Sequence, residues 1–190
     1  NGKAIRLLTT KKTINDDFVP IAHVLSDFDD PIYLYLQKSI ETMIEQFDLD
    51  SGFIDFDFMY TENRVEIVDI GTRLSGNGLV EMYNHFSKAN LYKEQVKMSL
   101  DLPLEELVAL DVRNAGVMLY YAAGKGRLNS YPTEFYGMKI LKSIEFFNKG
   151  KKVRKLSEGK NQLGFFIFKT EKEASEVVSE IAKEGTIVLE

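Results

Sequence analysis

Short runs in which hydrophobic and polar residues alternate every second position are interleaved with longer runs of helical period, a pattern that predicts an α+β fold. Residues 3–9 and 18–25 are rich in β-branched and apolar side chains and flank the polar stretch 11–17, which predicts two strands joined by a turn. From Asp30-Pro31 onward, Ile32, Leu36, Ile40, Met43, Ile44 and Phe47 recur at helical spacing, with an aspartate placed to cap and proline at the first helical position. A helix ending near Asp48 is expected. Residues 52–60 and 65–70 alternate like the arms of a hairpin over the link 61–64, in which Asn63 is best suited to a left-handed conformation. A glycine-spotted loop, 71–78, leads to helices over 79–88 and 91–100 and to a third short helix from Pro103 to just before Asp111. The strands before residue 110 are expected to form one antiparallel sheet backed by these helices.

Beyond residue 112 the character changes. Strand-like runs at 116–123, 139–147 and 163–169 are separated by the turns 124–126 and 148–150. A helix over 171–183 follows, capped by Thr170 with Glu173 three residues on, and residues 187–189 offer a last strand. The boundary falls near residue 110, giving a domain of residues 1–110 and a small α+β domain of residues 111–190.

Composition narrows the chemistry. With 190 residues, 44% of them hydrophobic, the chain can bury a core. A formal charge of −5 gives no general attraction for nucleic acid or anionic membranes, and no apolar stretch approaches the ~20 residues that span a bilayer. No signal-peptide pattern opens the chain, so a cytoplasmic location is expected. Cysteine is absent and His23 and His85 are the only histidines, so thiolate chemistry and histidine-rich metal sites are excluded and carboxylates, arginine, lysine and backbone remain. His23 reads as a strand residue, Tyr120-Tyr121 and the hairpin aromatics as packing, and the basic run 149–155 as a solvated turn and edge strand.

The hairpin concentrates the candidate chemistry. Alternation places Asp55, Asp57 and Met59 on one face and Ile54, Phe56 and Phe58 on the other, core-facing side. A three-residue link of Glu62, Asn63 and Arg64 pairs Thr61 with Val65 and sets Asp57 directly opposite Asp69. Cross-strand neighbours lie ~5 Å apart at Cβ, where like charges repel unless something positive stands between them. Mg²⁺ suits that place, since it takes one or two carboxylates and completes its shell with phosphate and water; a merely solvated face is the alternative. Arg73, four residues past Asp69 in a loop containing Gly71, Gly76 and Gly78, adds a fixed cation and approachable amides beside the pair.

The runs Phe56-Asp57-Phe58-Met59-Tyr60 and Val68-Asp69-Ile70-Gly71-Thr72-Arg73-Leu74-Ser75-Gly76 resemble the metal-binding signature of the ATP-grasp superfamily, an acidic residue followed twelve positions later by acidic-x-Asn-x-Arg. The branch resembled includes biotin carboxylase, the carbamoyl-phosphate synthase large subunit, the purine-pathway ligases and the L-amino-acid ligases. Residues 1–110 resemble the back half of the ATP-grasp domain, and residues 111–190, with Gly116-Val117-Met118 and Leu163-Gly164, resemble that branch's small carboxy-terminal domain. The resemblance implies an ATP-dependent ligase that activates a small carboxylate or bicarbonate as an acyl phosphate. Asp57 and Asp69 would hold Mg²⁺, with Mn²⁺ as an alternative, Arg73 would steady the transferring phosphoryl group or the activated carboxylate, and Met59 would lie under the adenine of ATP. The chain departs from the pattern in having aspartate where glutamate is usual and Gly71 where asparagine joins the metal.

In that family the ATP-binding lysine, the glycine-rich flap and the substrate domain precede the region resembled. The chain is therefore expected to be inactive without an amino-terminal half, either as a fragment or as a separately encoded partner, and to be capable of pairing as a homodimer through open strand edges. A non-catalytic module that keeps the fold to bind nucleotide or a partner subunit is the other reading.

Overall fold

The computed structural model describes residues 7–26, 31–49, 51–61, 64–135, 137–156 and 162–190. Two compact units are present, each discontinuous in sequence: residues 1–9, 27–76 and 83–111 form one, and residues 10–26, 77–82 and 112–190 the other.

The second unit is built on a five-stranded antiparallel sheet in the order β1 (Thr10–Ile14), β2 (Pro20–Leu25), β5 (Ala115–Tyr120), β9 (Gly164–Thr170), β7 (Met138–Glu145). Its central strands β5 and β9 are apolar almost throughout, as strands covered on both faces require, and Val117, Met118, Tyr120, Phe166, Ile167 and Phe168 are buried. Helix α4 (Ala174–Ile181) packs on β1, β2, β5 and β9 through Ala174, Val177 and Val178. A second sheet pairs β10 (Val188–Leu189), β6 (Gly126–Ser130) and β8 (Lys152–Val153). Thr186 ties the chain end to β5. Its buried hydroxyl accepts from the Tyr121 amide at 2.7 Å and donates to the Leu119 carbonyl at 2.8 Å. Tyr120 and Tyr121 are buried as expected, and burial pushes the Tyr121 hydroxyl up to about 12. His23 is likewise a buried strand residue, with Nδ1 3.1 Å from the Thr10 hydroxyl.

The first unit carries α1 (Pro31–Gln46), the hairpin β3 (Asp55–Thr61) and β4 (Arg64–Gly71), α3 (Leu91–Ser99) and the segment 100–111; helix α2 (Leu79–Ser87) is divided between the units. Leu36 and Ile40, one turn apart, are the buried positions of α1, whereas Phe47, just past the helix end, is 69% exposed and lies off the expected apolar stripe.

The fold departs from expectation in several places. The opening strand is Thr10–Ile14, within the polar stretch assigned to a turn, while residues 1–6 lie outside the described residues, as does the proposed cap Asp30. Strands β1 and β2 join the later strands and leave the hairpin as a separate two-stranded sheet, since alternation identifies a strand but not its partner. Thr170 ends β9 and does not cap α4, whose N-terminal flank is Glu173; the Thr170 hydroxyl instead accepts from the Lys172 amide at 3.1 Å. Residues 103–110 form no helix. Among the described residues, no helix is long and apolar enough to cross a membrane.

Side-chain hydrogen bonds hold the irregular 103–110 segment in place. Buried Glu94 accepts from the Glu105 amide at 2.7 Å, Tyr83 Oη donates to the Val108 carbonyl at 2.7 Å, and Glu105 pairs with Lys93 at 2.7 Å and Lys97 at 2.9 Å. The Glu105 amide holds the Glu94 carboxyl below its ordinary value, and the Lys93 and Lys97 ammonium groups lower Glu105 to about 2. A carboxyl lowered in the folded state contributes stability that is complete above its unfolded value and is lost as pH falls through the folded one. Amide-exchange protection across residues 103–110 should therefore hold at neutral pH and fall between about pH 4 and 2, with α4 unaffected. Protection unchanged down to pH 2 would show that these carboxylates do not anchor the segment.

Candidate functional site

Asp57 stands opposite Asp69, as the alternation implies, but the hairpin reaches that pairing by a different route. Thr61 pairs with Arg64, so the link is the two residues Glu62 and Asn63, which lie outside the described residues. From Thr61 to Phe58 every partner is one position earlier than a three-residue link requires. A bulge between Asp57 and Phe58 then inserts Val68 as an unpaired extra residue in β4 and brings Asp69 onto Asp57. Bulges add one residue on one strand and re-aim the side chains beyond. Here the bulge puts Asp55, Asp57 and Met59 on one face with Gly71, Asp69 and Glu66.

That face is open: Asp57 and Asp69 are exposed and Met59 is 62% exposed. The opposite face, expected to be core, is half-covered, with Phe56 and Phe58 partly buried and their rings 5.9 Å apart while Ile70 is 44% exposed.

Arg73 is anchored by a residue that sequence reasoning did not single out. Its Nη1 lies 3.0 Å from Asp55 Oδ2 and donates to the Leu74 carbonyl at 2.9 Å, and the Ser75 hydroxyl donates to Asp55 Oδ1 at 2.5 Å. Asp55 is the more enclosed partner, its side chain 24% exposed against 60% for Arg73. The guanidinium is thus fixed at its root while remaining open to an anionic ligand. Asp55 was findable from its two-residue spacing to Asp57; Ser75, twenty residues away in the loop, carries no sequence signal. Gly71 pairs with Asp55 in β4 and does not adopt a left-handed φ. A Cβ there would meet Arg73 Nε at 3.3 Å and Cγ at 3.4 Å, so the glycine lets the arginine fold over the strand end.

The donor set suits a hard divalent cation. Two exposed carboxylates share a face at cross-strand separation, and an arginine held in place stands in the loop that follows. Among the described residues no three His, Cys, Asp or Glu side chains gather to hold a metal, so the protein alone does not complete a cage.

No known protein-family model matches the sequence, and no curated protein sequence matches it. Solved structures do. Phosphoribosylglycinamide synthetase from Anaerococcus prevotii aligns with 96% of this chain and 49% of its own, at 17% identity and a TM-score of 0.69. L-amino acid ligase from Bacillus licheniformis aligns with 91% of this chain and 45% of its own, at 13% identity and a TM-score of 0.66. The biotin carboxylase–beta-gamma-ATP complex from Campylobacter jejuni aligns with 94% of this chain and 42% of its own, at 11% identity and a TM-score of 0.62. All three are ATP-grasp enzymes, and at these identities the likeness is one of fold. The chain has the α+β fold of the ATP-grasp enzymes and spans about half the length of those it is compared with.

Proposed function

We propose that this chain is the Mg-ATP-binding portion of an ATP-dependent ligase that activates a small carboxylate, or bicarbonate, as an acyl phosphate for attack by an amine or thiol. The observation that carries the reading is the bulged hairpin, which sets Asp57 against Asp69 on an open face and leads into the loop where Asp55 fixes Arg73. Residues 1–110 would be the back half of the ATP-grasp domain and residues 111–190 its small carboxy-terminal companion.

Phosphoryl transfer asks little of a protein beyond positioning and charge neutralisation. Asp57 and Asp69 would hold Mg²⁺ or Mn²⁺, which when bound neutralises phosphate charge. Arg73, kept in place by Asp55, would orient and neutralise the phosphoryl group in flight, and Met59, on the same face two residues from Asp57, would support the base. Because the chain spans about half of the compared structures, turnover would require segments beyond those described, supplied by an amino-terminal half or a partner chain.

Gly71 supports a second reading, a module that binds nucleotide without turnover, because glycine offers no oxygen to the metal. The two readings meet in one variant. The backbone at residue 71 is open to any residue, and a Cβ there requires the Arg73 side chain, anchored at its tip by Asp55, to give by only a few tenths of an ångström. Gly71→Asn should therefore fold and add a carbonyl oxygen, tightening Mg²⁺-dependent ATP binding by about three- to tenfold. Calorimetric titration of wild type and variant checks it, and equal or weaker affinity in the variant would mean that Gly71 serves the packing of Arg73 and not the metal.

A further inference from the structure

The second unit contains an open surface pocket of about 540 Å³, rimmed by the exposed side chains of Lys125, Arg127, Lys151, Lys152 and Arg154 over Phe147, Val153 and Leu163. Its cations are arranged by strand geometry. Arg127 on β6 pairs directly with Lys152 on β8, and Gly126 with Val153; Lys125, in the bend before β6, and Arg154, just past β8, flank that pair in sequence. Arg127 and Lys152 share the exposed face of the ribbon, while Leu128 and Val153 are buried. Like charges directly opposite each other destabilise a strand pair. Here that occurs at Arg127 and Lys152, with three further cations around the same pocket, on a chain whose net charge is −5, so general basicity does not account for it.

None of the described residues lining the pocket is acidic. Two of the cations are held in place. Arg127 Nη1 donates to the Gly150 carbonyl at 2.9 Å, and Lys151 Nζ lies 4.6 Å from the centre of the Phe147 ring. The wall behind them is fixed by Tyr131 Oη, which donates to the carbonyls of Leu163 at 2.8 Å and Phe147 at 3.0 Å.

We infer that this pocket binds a small molecule bearing a chain of two or more phosphates. Five cations spread around one pocket complement a linear anion better than a single tetrahedral one, and guanidinium groups bind phosphate oxygens in pairs. The volume falls within the ~300–1,000 Å³ of small-ligand sites. The site lies wholly within the second unit and does not depend on the hairpin reading.

The test is titration of the 190-residue chain with inorganic pyrophosphate and with orthophosphate, in EDTA so that no divalent metal recruits either anion to Asp57 and Asp69. Pyrophosphate should bind saturably and at least about tenfold more tightly than orthophosphate, and the affinity should fall as salt is raised. The double variant Arg127→Gln/Lys152→Gln should weaken pyrophosphate binding at least about tenfold, while Lys139→Gln/Lys142→Gln, which removes the same charge from exposed positions on β7, should change it less than about twofold. Should the first variant fail to fold, lysine acetylation of wild type decides: pyrophosphate should protect Lys125, Lys151 and Lys152 and leave Lys139 and Lys142 reactive. Absence of saturable binding, equal affinity for orthophosphate, equal loss in both double variants, or uniform protection of all these lysines would overturn the inference.

Discussion

Replacing Gly164 with alanine should destabilise the second unit by about 3 kcal/mol or more, lowering its melting temperature by roughly 10 °C. Gly164 opens β9 at a φ of +143°, a conformation in which L side chains are strained, and it sits between Tyr120 on β5 and Glu145 on β7. A Cβ would fall on the Ile144 carbonyl oxygen at 2.1 Å and meet Glu145 Cα at 3.1 Å. Both obstacles are backbone of a paired strand, so neither is relieved by a rotamer change. The sheet must open locally or lose the pairing of β9 with β7. Gly124→Ala, where no atom lies within 4 Å of the added Cβ, provides the matched control and should be close to neutral. Thermal unfolding followed by circular dichroism checks both, and comparable stability of the two variants would mean that β9 accommodates a side chain at residue 164.

Removing one charge from the facing pair should have opposite effects with and without ligand. In metal-free buffer, Asp69→Asn should stabilise the hairpin by about 0.2–1 kcal/mol, because it ends the repulsion from Asp57 across the strand pair. In the presence of Mg²⁺ and ATP the same variant should bind at least about 100-fold more weakly, since even residues one shell removed from a metal cost 10–100-fold when lost. A residue kept for folding would lose stability when altered; a residue kept for a cation gains stability and loses the ligand. Hydrogen exchange across β3 and β4, with and without Mg-ATP, separates the two, and a destabilised metal-free hairpin would assign Asp69 a structural role.

The two-residue period made the shared face of Asp55, Asp57 and Met59 legible, but the pairing of Asp57 with Asp69 was reached from a three-residue link; with the two-residue link, alternation alone would set Asp57 opposite Val68. The bulge at Val68, which restores the pairing, was not legible. It is set by the backbone at one step of the ladder, and neither valine nor its neighbours carry a signature for it. Helices α2 and α3 and strands β5, β7 and β9 followed from periodicity because their apolar residues are numerous and regular. Strand β6 escaped notice because Leu128 is its single apolar residue, and its place is fixed by partners distant in sequence, Lys152 and Val188 among them. Residues 103–110 carry a helix-start signal in Pro103, overridden by the Glu94 carboxylate and Tyr83 hydroxyl, which bind backbone groups of the segment. The anchoring of Arg73 by Asp55 and Ser75 likewise depends on the fold of the loop after β4.

Asp57 and Asp69 are proposed together to hold the metal of a bound metal–nucleotide complex. Mn²⁺ is paramagnetic and broadens the NMR signals of nuclei near it, so titrating Mn²⁺ into the isotopically labelled 190-residue chain with ATP present locates the metal directly. Broadening should centre on the amides of Asp57 and Asp69, extend to Gly71 and Arg73, and vanish in Asp57→Asn/Asp69→Asn. Broadening centred elsewhere, or persisting unchanged at the hairpin of that variant, would contradict that proposal.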